Sequence, residues 1–169
     1  NNYGSVDISL LIKALYTYEN IALVSIMFAN NETGAINDIK LIGQQIRNKN
    51  KSQNNIYTFF HCDCTQIIGK YRIKPKDLFI DSITFSGHKF HAPKGIGCLY
   101  INNQNSKCPI CGICFGGEQE ETIRPGTENL AYISALAYAL KNVHDNRIEK
   151  NKKLIALKAY LIKELRKLN

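Results

Sequence analysis

Lys89 is the residue of this chain best placed by its neighbours for covalent chemistry. It closes the run Ser86-Gly87-His88-Lys89, after an apolar stretch over 78–85 that reads as a strand. A lysine in a half-buried cleft at a strand's end loses its proton more readily than a solvated one, because burial disfavours the ammonium. The neutral amine can then form an imine with a carbonyl, and pyridoxal phosphate enzymes hold their cofactor through such a Schiff-base lysine. On its own the tetrapeptide reads more plainly as a solvated loop cation. Other motifs have to decide between the two.

A second group with possible chemistry is Cys108, Cys111 and Cys114, spaced C-x-x-C-x-x-C. Three thiolates at this spacing could hold zinc or part of an iron–sulfur cluster. No fourth ligand stands nearby, so incidental cysteines are the plainer reading and a metal site the alternative. The six cysteines do not form the even, spread framework of a small secreted domain. Reduced thiols in a cytoplasmic, reducing compartment are expected. Asn31-Glu-Thr33 matches a glycosylation acceptor, a pattern that is common by chance.

The elements that must position these residues follow from periodicity. An apolar face predicts a helix over 5–18, capped by Ser5 or Asp7. Residues 21–29 are a continuous apolar run, as in a strand buried on both faces. A polar turn over 30–34, a helix over 36–48 and a polar connection over 49–55 follow. Strands are expected over 56–61, 78–85 and 97–101, and a loop over 102–107. Two helices over 128–143 and 147–168 complete the chain. The first should bury Leu130, Ile133, Leu136 and Leu140. The second should pack its Leu154, Leu157, Leu161, Leu165 and Leu168 row against the domain. Strands alternating with helices argue for a mostly parallel α/β sheet, in which ligands gather beyond the carboxyl ends of strands.

Composition bounds the function classes. With 169 residues, 44% apolar and 21% charged, the chain is that of a globular protein with a substantial core. No apolar run approaches the roughly 18 residues needed to span a bilayer, and no leader peptide follows Asn1. The net charge of +8 raises nucleic-acid binding. No basic strip interleaved with aromatics occurs, so the charge reads as solvated helix faces rather than a nucleic-acid site.

Four motifs then stand in order: Met27-Phe-Ala-Asn-Asn-Glu-Thr-Gly34, His61-Cys-Asp-Cys-Thr-Gln66, the Ser86 to Lys89 run, and Gly116-Gly-Glu-Gln-Glu120 with Arg124-Pro-Gly-Thr-Glu-Asn129. Together they resemble the cysteine desulfurases of the NifS/IscS type, within the class V aminotransferase group of fold-type I pyridoxal phosphate enzymes. The resemblance covers nearly the whole chain and makes it the middle of a longer enzyme. Residues 1–145 are expected to be part of the large cofactor-binding domain, and 146–169 a helix leading toward a smaller C-terminal domain. Lys89 would be the Schiff-base lysine. Asp63 would pair with the pyridinium nitrogen, Gln66 would donate to the phenolate oxygen, and Ser86 and His88 would bind phosphate. Asn31 would contact cofactor and substrate, and Thr127 would reach the phosphate of the other subunit in a homodimer. His61 would stack or hydrogen-bond near the site, or simply pack at the strand's end.

The resemblance further implies removal of sulfur from L-cysteine, leaving alanine and an enzyme persulfide. The sulfur would pass to an acceptor protein in iron–sulfur assembly or tRNA thiolation. Selenocysteine lyase shares these motifs and is the enzymatic rival; a non-catalytic metal-binding scaffold built on Cys108, Cys111 and Cys114 is the rival of another class. The chain departs from the family pattern at Glu118, where a third glycine is usual. The family's nucleophilic cysteine is expected beyond Asn169.

Overall fold

The computed structural model describes residues 1–52, 57–102 and 110–168. Its centre is a four-stranded sheet, in the order β1 (Leu23–Met27), β2 (Phe59–Asp63), β3 (Ser82–Ser86), β4 (Gly97–Ile101). The first three strands are parallel and β4 is antiparallel to β3. Only the sheet's last member departs from the parallel expectation. Residues 87–96 are too few for a crossover helix, so the chain must return as a hairpin.

Helices α1 (Ile8–Thr17) and α2 (Ile39–Ser52) cover one face of the sheet. Asp7 caps α1, accepting the Leu10 amide at 3.1 Å. Leu15, Ile39, Ile42, Ile46, Phe60, Cys62 and Ile83 form the main core with them. Each large side chain fully removed from water there contributes on the order of 1.5–3 kcal/mol. α2 runs on through part of the stretch expected as polar connection, because Lys49 is buried along its length with its ammonium 5.3 Å from the Tyr16 ring centre. Beneath the sheet, Asp81 is buried and fully engaged. It accepts Arg47 at 2.7 Å, Tyr57 at 2.9 Å and the Phe60 amide at 2.8 Å.

Three strand expectations need correction. The first strand is shorter than 21–29 and is not buried on both faces, since Leu23 and Ser25 are exposed. The second begins at Phe59 and extends to Asp63; Ile56, where it was expected to start, lies outside the described residues. The third begins at Ser82, because Lys76–Leu78 make a 3-10 turn and Phe79 is left-handed at φ 59°. Gly43 of α2 approaches Leu78 so closely that a Cβ there would stand 2.3 Å from its carbonyl oxygen. That tertiary contact overrides the strand-like Leu-Phe-Ile run.

Next to that core, α3 (Leu130–Asp145) packs on the turn after β3. Asn129 caps it, accepting the Tyr132 amide at 3.2 Å. Phe90, Ala92, Ala139 and Val143 are buried there, with Leu136 and Leu140 partly so. Leu130 and Ile133, expected in that face, are exposed. α4 (Arg147–Leu165) buries no residue, and its row of Leu154, Leu157, Leu161 and Leu165 is exposed rather than packed on the domain. One polar tie joins it to the sheet region: Asn151 donates to the Lys70 carbonyl at 2.6 Å.

Candidate functional site

The parallel strands end together at one edge. Register pairs Met27 with Asp63 and Asp63 with Thr84, so Asp63 and Ser86 terminate adjacent strands on the same face. Side chains alternate along a strand. Asp63 therefore points away from its neighbours Cys62 and Cys64, which are buried with sulfurs 3.7 Å apart. The hydrogen bond with Cys64 and burial push the Cys62 thiol up, which leaves it a poor nucleophile. Asp63 is half-buried, and its Oδ1 accepts the Thr65 amide at 2.8 Å. Among the described residues nothing donates to Oδ2. A turn that uses one oxygen and leaves the other open orients a carboxylate for an external N–H.

His61, two residues earlier on the same face, bridges three strands. Its Nδ1 lies 2.7 Å from Ser25 Oγ and its Nε2 2.9 Å from Thr84 Oγ1. Burial lowers its pKa, with the Asp63 charge opposing that in part. The imidazole is thus a cross-strand tie beside the site. Ser25 and Thr84 escaped the sequence reading; the one available signal was a hydroxyl on the same face of each neighbouring strand.

After β3 the chain makes a 3-10 turn over Gly87–Phe90. Phe90 is sunk in the α3 cluster, and Ala92 donates to the Gly87 carbonyl at 3.1 Å. Gly87 is required: a Cβ would stand 2.7 Å from Leu136 Cδ1 and 3.0 Å from Ala92 Cβ. Ser86 Oγ and His88 Nδ1 lie 2.8 Å apart. They line a cavity of about 410 Å³ together with Lys94, Gly95, Ile96 and Gly97. Lys89 is exposed on this turn, not half-buried as its sequence setting suggested.

Gln66 is half-buried in the helical turn that follows Asp63, where Ile67 and Ile68 both donate to the Cys64 carbonyl. Its own carbonyl accepts the Lys70 ammonium at 2.7 Å. Burial, and then the charge of Lys89, lower the Lys70 pKa. Lys70 is therefore a second cation beside the turn, not singled out from the sequence.

Asn31 and Asn30 divide their labour. Asn30 Oδ1 accepts the amides of Glu32 and Thr33 at 2.8 and 2.9 Å, and so builds the turn. Asn31 is exposed and makes none of these bonds. Thr127 is exposed on the loop where Gly126 donates to Gln119 Oε1 at 3.0 Å. It does not line the Ser86–His88 cavity. Cys108 lies outside the described residues, and Cys111 and Cys114 are exposed free thiols. No cluster of three metal-ligating side chains occurs among the described residues.

Asp63, Gln66, Ser86, His88 and Lys89 are thus gathered at one edge of the sheet. An open carboxylate oxygen, an exposed primary amine and a hydroxyl–imidazole pair in a cavity without carboxylates suit a cationic ring nitrogen, a carbonyl and a phosphate in turn. This donor set fits pyridoxal phosphate.

The family model described as aminotransferase class-V matches residues 1–169. A protein named cysteine desulfurase IscS from Clostridium botulinum is 43% identical over 90% of this chain and 36% of its own length. A selenocysteine lyase from Rattus norvegicus is 37% identical over 85% of this chain and 33% of its own. The solved NifS-like protein from Rickettsia africae superposes with a TM-score of 0.89 at 33% identity, covering 99% of this chain and 44% of that one. The chain spans about a third of the length of the curated relatives it matches.

Proposed function

Since the chain belongs to the class-V aminotransferase family, a group that generally uses pyridoxal phosphate, we propose that it is the cofactor-binding portion of a cysteine desulfurase. The observation that carries this is the convergence of Asp63, with one open carboxylate oxygen, and the Ser86–Lys89 turn at the ends of adjacent parallel strands. The names of its relatives support the substrate, L-cysteine.

When bound, pyridoxal phosphate supplies an electron sink for bonds at the substrate's α-carbon. Lys89 would hold the cofactor through its amine, and the same amine would move a proton at the substrate carbon. Asp63, oriented by the Thr65 amide, would pair with the ring nitrogen and keep it protonated. Gln66 would donate to the ring oxygen, and Ser86 and His88 would hold the phosphate. Asn31 orients cofactor and substrate. Thr127 serves the site of a second copy in a homodimer, consistent with its place away from the cavity.

Sulfur must leave on a thiolate able to reach the substrate. Cys62 and Cys64 are buried, Cys98 is half-buried with its thiol pushed up by burial, and the 108–114 cluster precedes the Gly116-Gly117 turn. Cys111 and Cys114 are exposed thiols, and it is the family resemblance, not their burial, that assigns the nucleophile to another part of the full-length enzyme. The products are alanine and a persulfide, which passes to a sulfur-acceptor protein in iron–sulfur assembly or tRNA thiolation. Residues 1–145 serve the cofactor domain and 146–169 lead toward a smaller domain. Among the described residues no helix is long and apolar enough to cross a membrane. A cytoplasmic location is part of the proposal.

The test is release of alanine and sulfide from L-cysteine by the full-length enzyme with a reductant, run beside selenocysteine. Turnover of selenocysteine alone would favour the lyase reading that the Rattus norvegicus relative represents. Stoichiometric metal without cofactor in the purified protein would favour a scaffold.

A further inference from the structure

We infer that Lys94 is the cationic arm of the anion site begun by Ser86 and His88, and that it binds the phosphate of the cofactor. This rests on the reading of Ser86 and His88 given above, and adds a residue that the sequence motif did not contain.

The lysine is tied to Ser86 by the backbone. Gly95 turns the chain at φ +89°, and Ser86 then pairs with Gly97 in the antiparallel ladder. The Gly87 amide donates to the Ile96 carbonyl at 2.9 Å. Gly97 lies so close to β3 that a Cβ there would stand 3.0 Å from the Phe85 oxygen. Lys94 is therefore carried at the start of a short, tethered return and lines the same cavity as Ser86 and His88.

The cavity's chemistry says what it would take. Ser86, His88 and Lys94 supply every polar side chain of its lining, and none is a carboxylate. Lysines 74, 141 and 167 each pair with a carboxylate, whereas among the described residues Lys94 has none. An ammonium, a hydroxyl and an imidazole lining one cavity, with no carboxylate in that lining, suit a dianion with several acceptor oxygens, the form of a phosphate monoester. The hydroxyl and imidazole give direction, and the lysine gives charge as a point cation. Lys89 cannot supply that charge while its amine is committed to a carbonyl.

The experiment titrates the full-length apoenzyme with pyridoxal phosphate and, separately, with pyridoxal, which lacks the phosphate. Binding is read by equilibrium dialysis and visible absorbance. Lys94→Gln should weaken pyridoxal phosphate binding about tenfold to a hundredfold, as for loss of a charge-assisted contact, and leave pyridoxal binding unchanged. Lys94→Arg should recover most of the loss. Lys94→Ala carries the same expectation and serves as the second variant. Inorganic phosphate should compete with pyridoxal phosphate more weakly in Lys94→Gln than in the wild type. Unchanged pyridoxal phosphate affinity in Lys94→Gln, or equal weakening of both ligands, would overturn the inference. Ser86→Ala, titrated in parallel, separates the failures. If it discriminates against the phosphate and Lys94→Gln does not, only the role of Lys94 falls. If neither does, the phosphate site itself is misplaced.

Discussion

Asp63 Oδ1 accepts the Thr65 amide at 2.8 Å, so the same side chain both builds the turn after β2 and faces the site with its other oxygen. The two jobs separate by substitution. Asp63→Asn keeps an acceptor for Thr65 but loses the charge, whereas Asp63→Ala loses both. In the full-length enzyme both should cost far more kcat than Gln66→Ala, which removes one hydrogen bond worth on the order of 1 kcal/mol. Steady-state kinetics with cysteine decide this. Equal, small effects would make Asp63 a turn residue alone.

Cofactor attachment is expected on Lys89. Borohydride reduction of the holoenzyme followed by peptide mapping should find the label on the peptide containing Lys89. A label on Lys94 would reverse the roles assigned to these two lysines.

This chain alone should not turn over cysteine. Comparing it with the full-length enzyme, and with full-length Cys108→Ser/Cys111→Ser/Cys114→Ser, should show alanine release from both full-length forms and none from the shorter chain. Turnover by residues 1–169 that the triple substitution abolishes would place the nucleophile in the C-x-x-C-x-x-C cluster.

The Arg47–Asp81 pair predicts a large stability effect. Arg47→Met leaves a buried carboxylate without its cation, and should cost ~3–5 kcal/mol. Tyr57→Phe removes the hydroxyl that donates to the same carboxylate and accepts from Arg47, and should cost ~2 kcal/mol. Urea unfolding of the full-length enzyme measures both, and a loss from Arg47→Met no greater than that from Tyr57→Phe would contradict the buried-charge account.

His61 predicts a pH dependence. Its folded pKa is lowered by burial from 6.5, so the unfolded chain binds more protons in the acid range. Its contribution is therefore fully present above pH 6.5 and is lost as pH falls from there through the lowered folded value. Urea midpoints for wild type and His61→Asn should converge as the pH is lowered through that window. Parallel profiles would mean that His61 does not titrate differently in the fold.

The order of elements was legible because apolar runs and caps announce it, and the site motifs fell at strand ends because that is where parallel sheets leave backbone for loops. Three things were not legible, each for a physical reason. Leu78-Phe79-Ile80 has strand composition, but contact with Gly43 forces a turn there. Asn30 and Asn31 are indistinguishable by residue type, and only geometry shows which one holds the turn. The leucine row of α4 promises burial by its spacing, yet nothing among the described residues covers it. Lys70 has no local signature in the sequence; its setting comes from what the fold places beside it.

The contact between Gly87 and Leu136 carries a consequence for variation in this protein. With no room for a Cβ at 87, the bulk allowed at 136 is set by the backbone of the lysine-bearing turn. Natural drift or engineering that enlarges position 136 would be felt in the placement of the turn that bears Lys89. The two sites should therefore change together across a diverging lineage, trading volume so that the amine stays where it is.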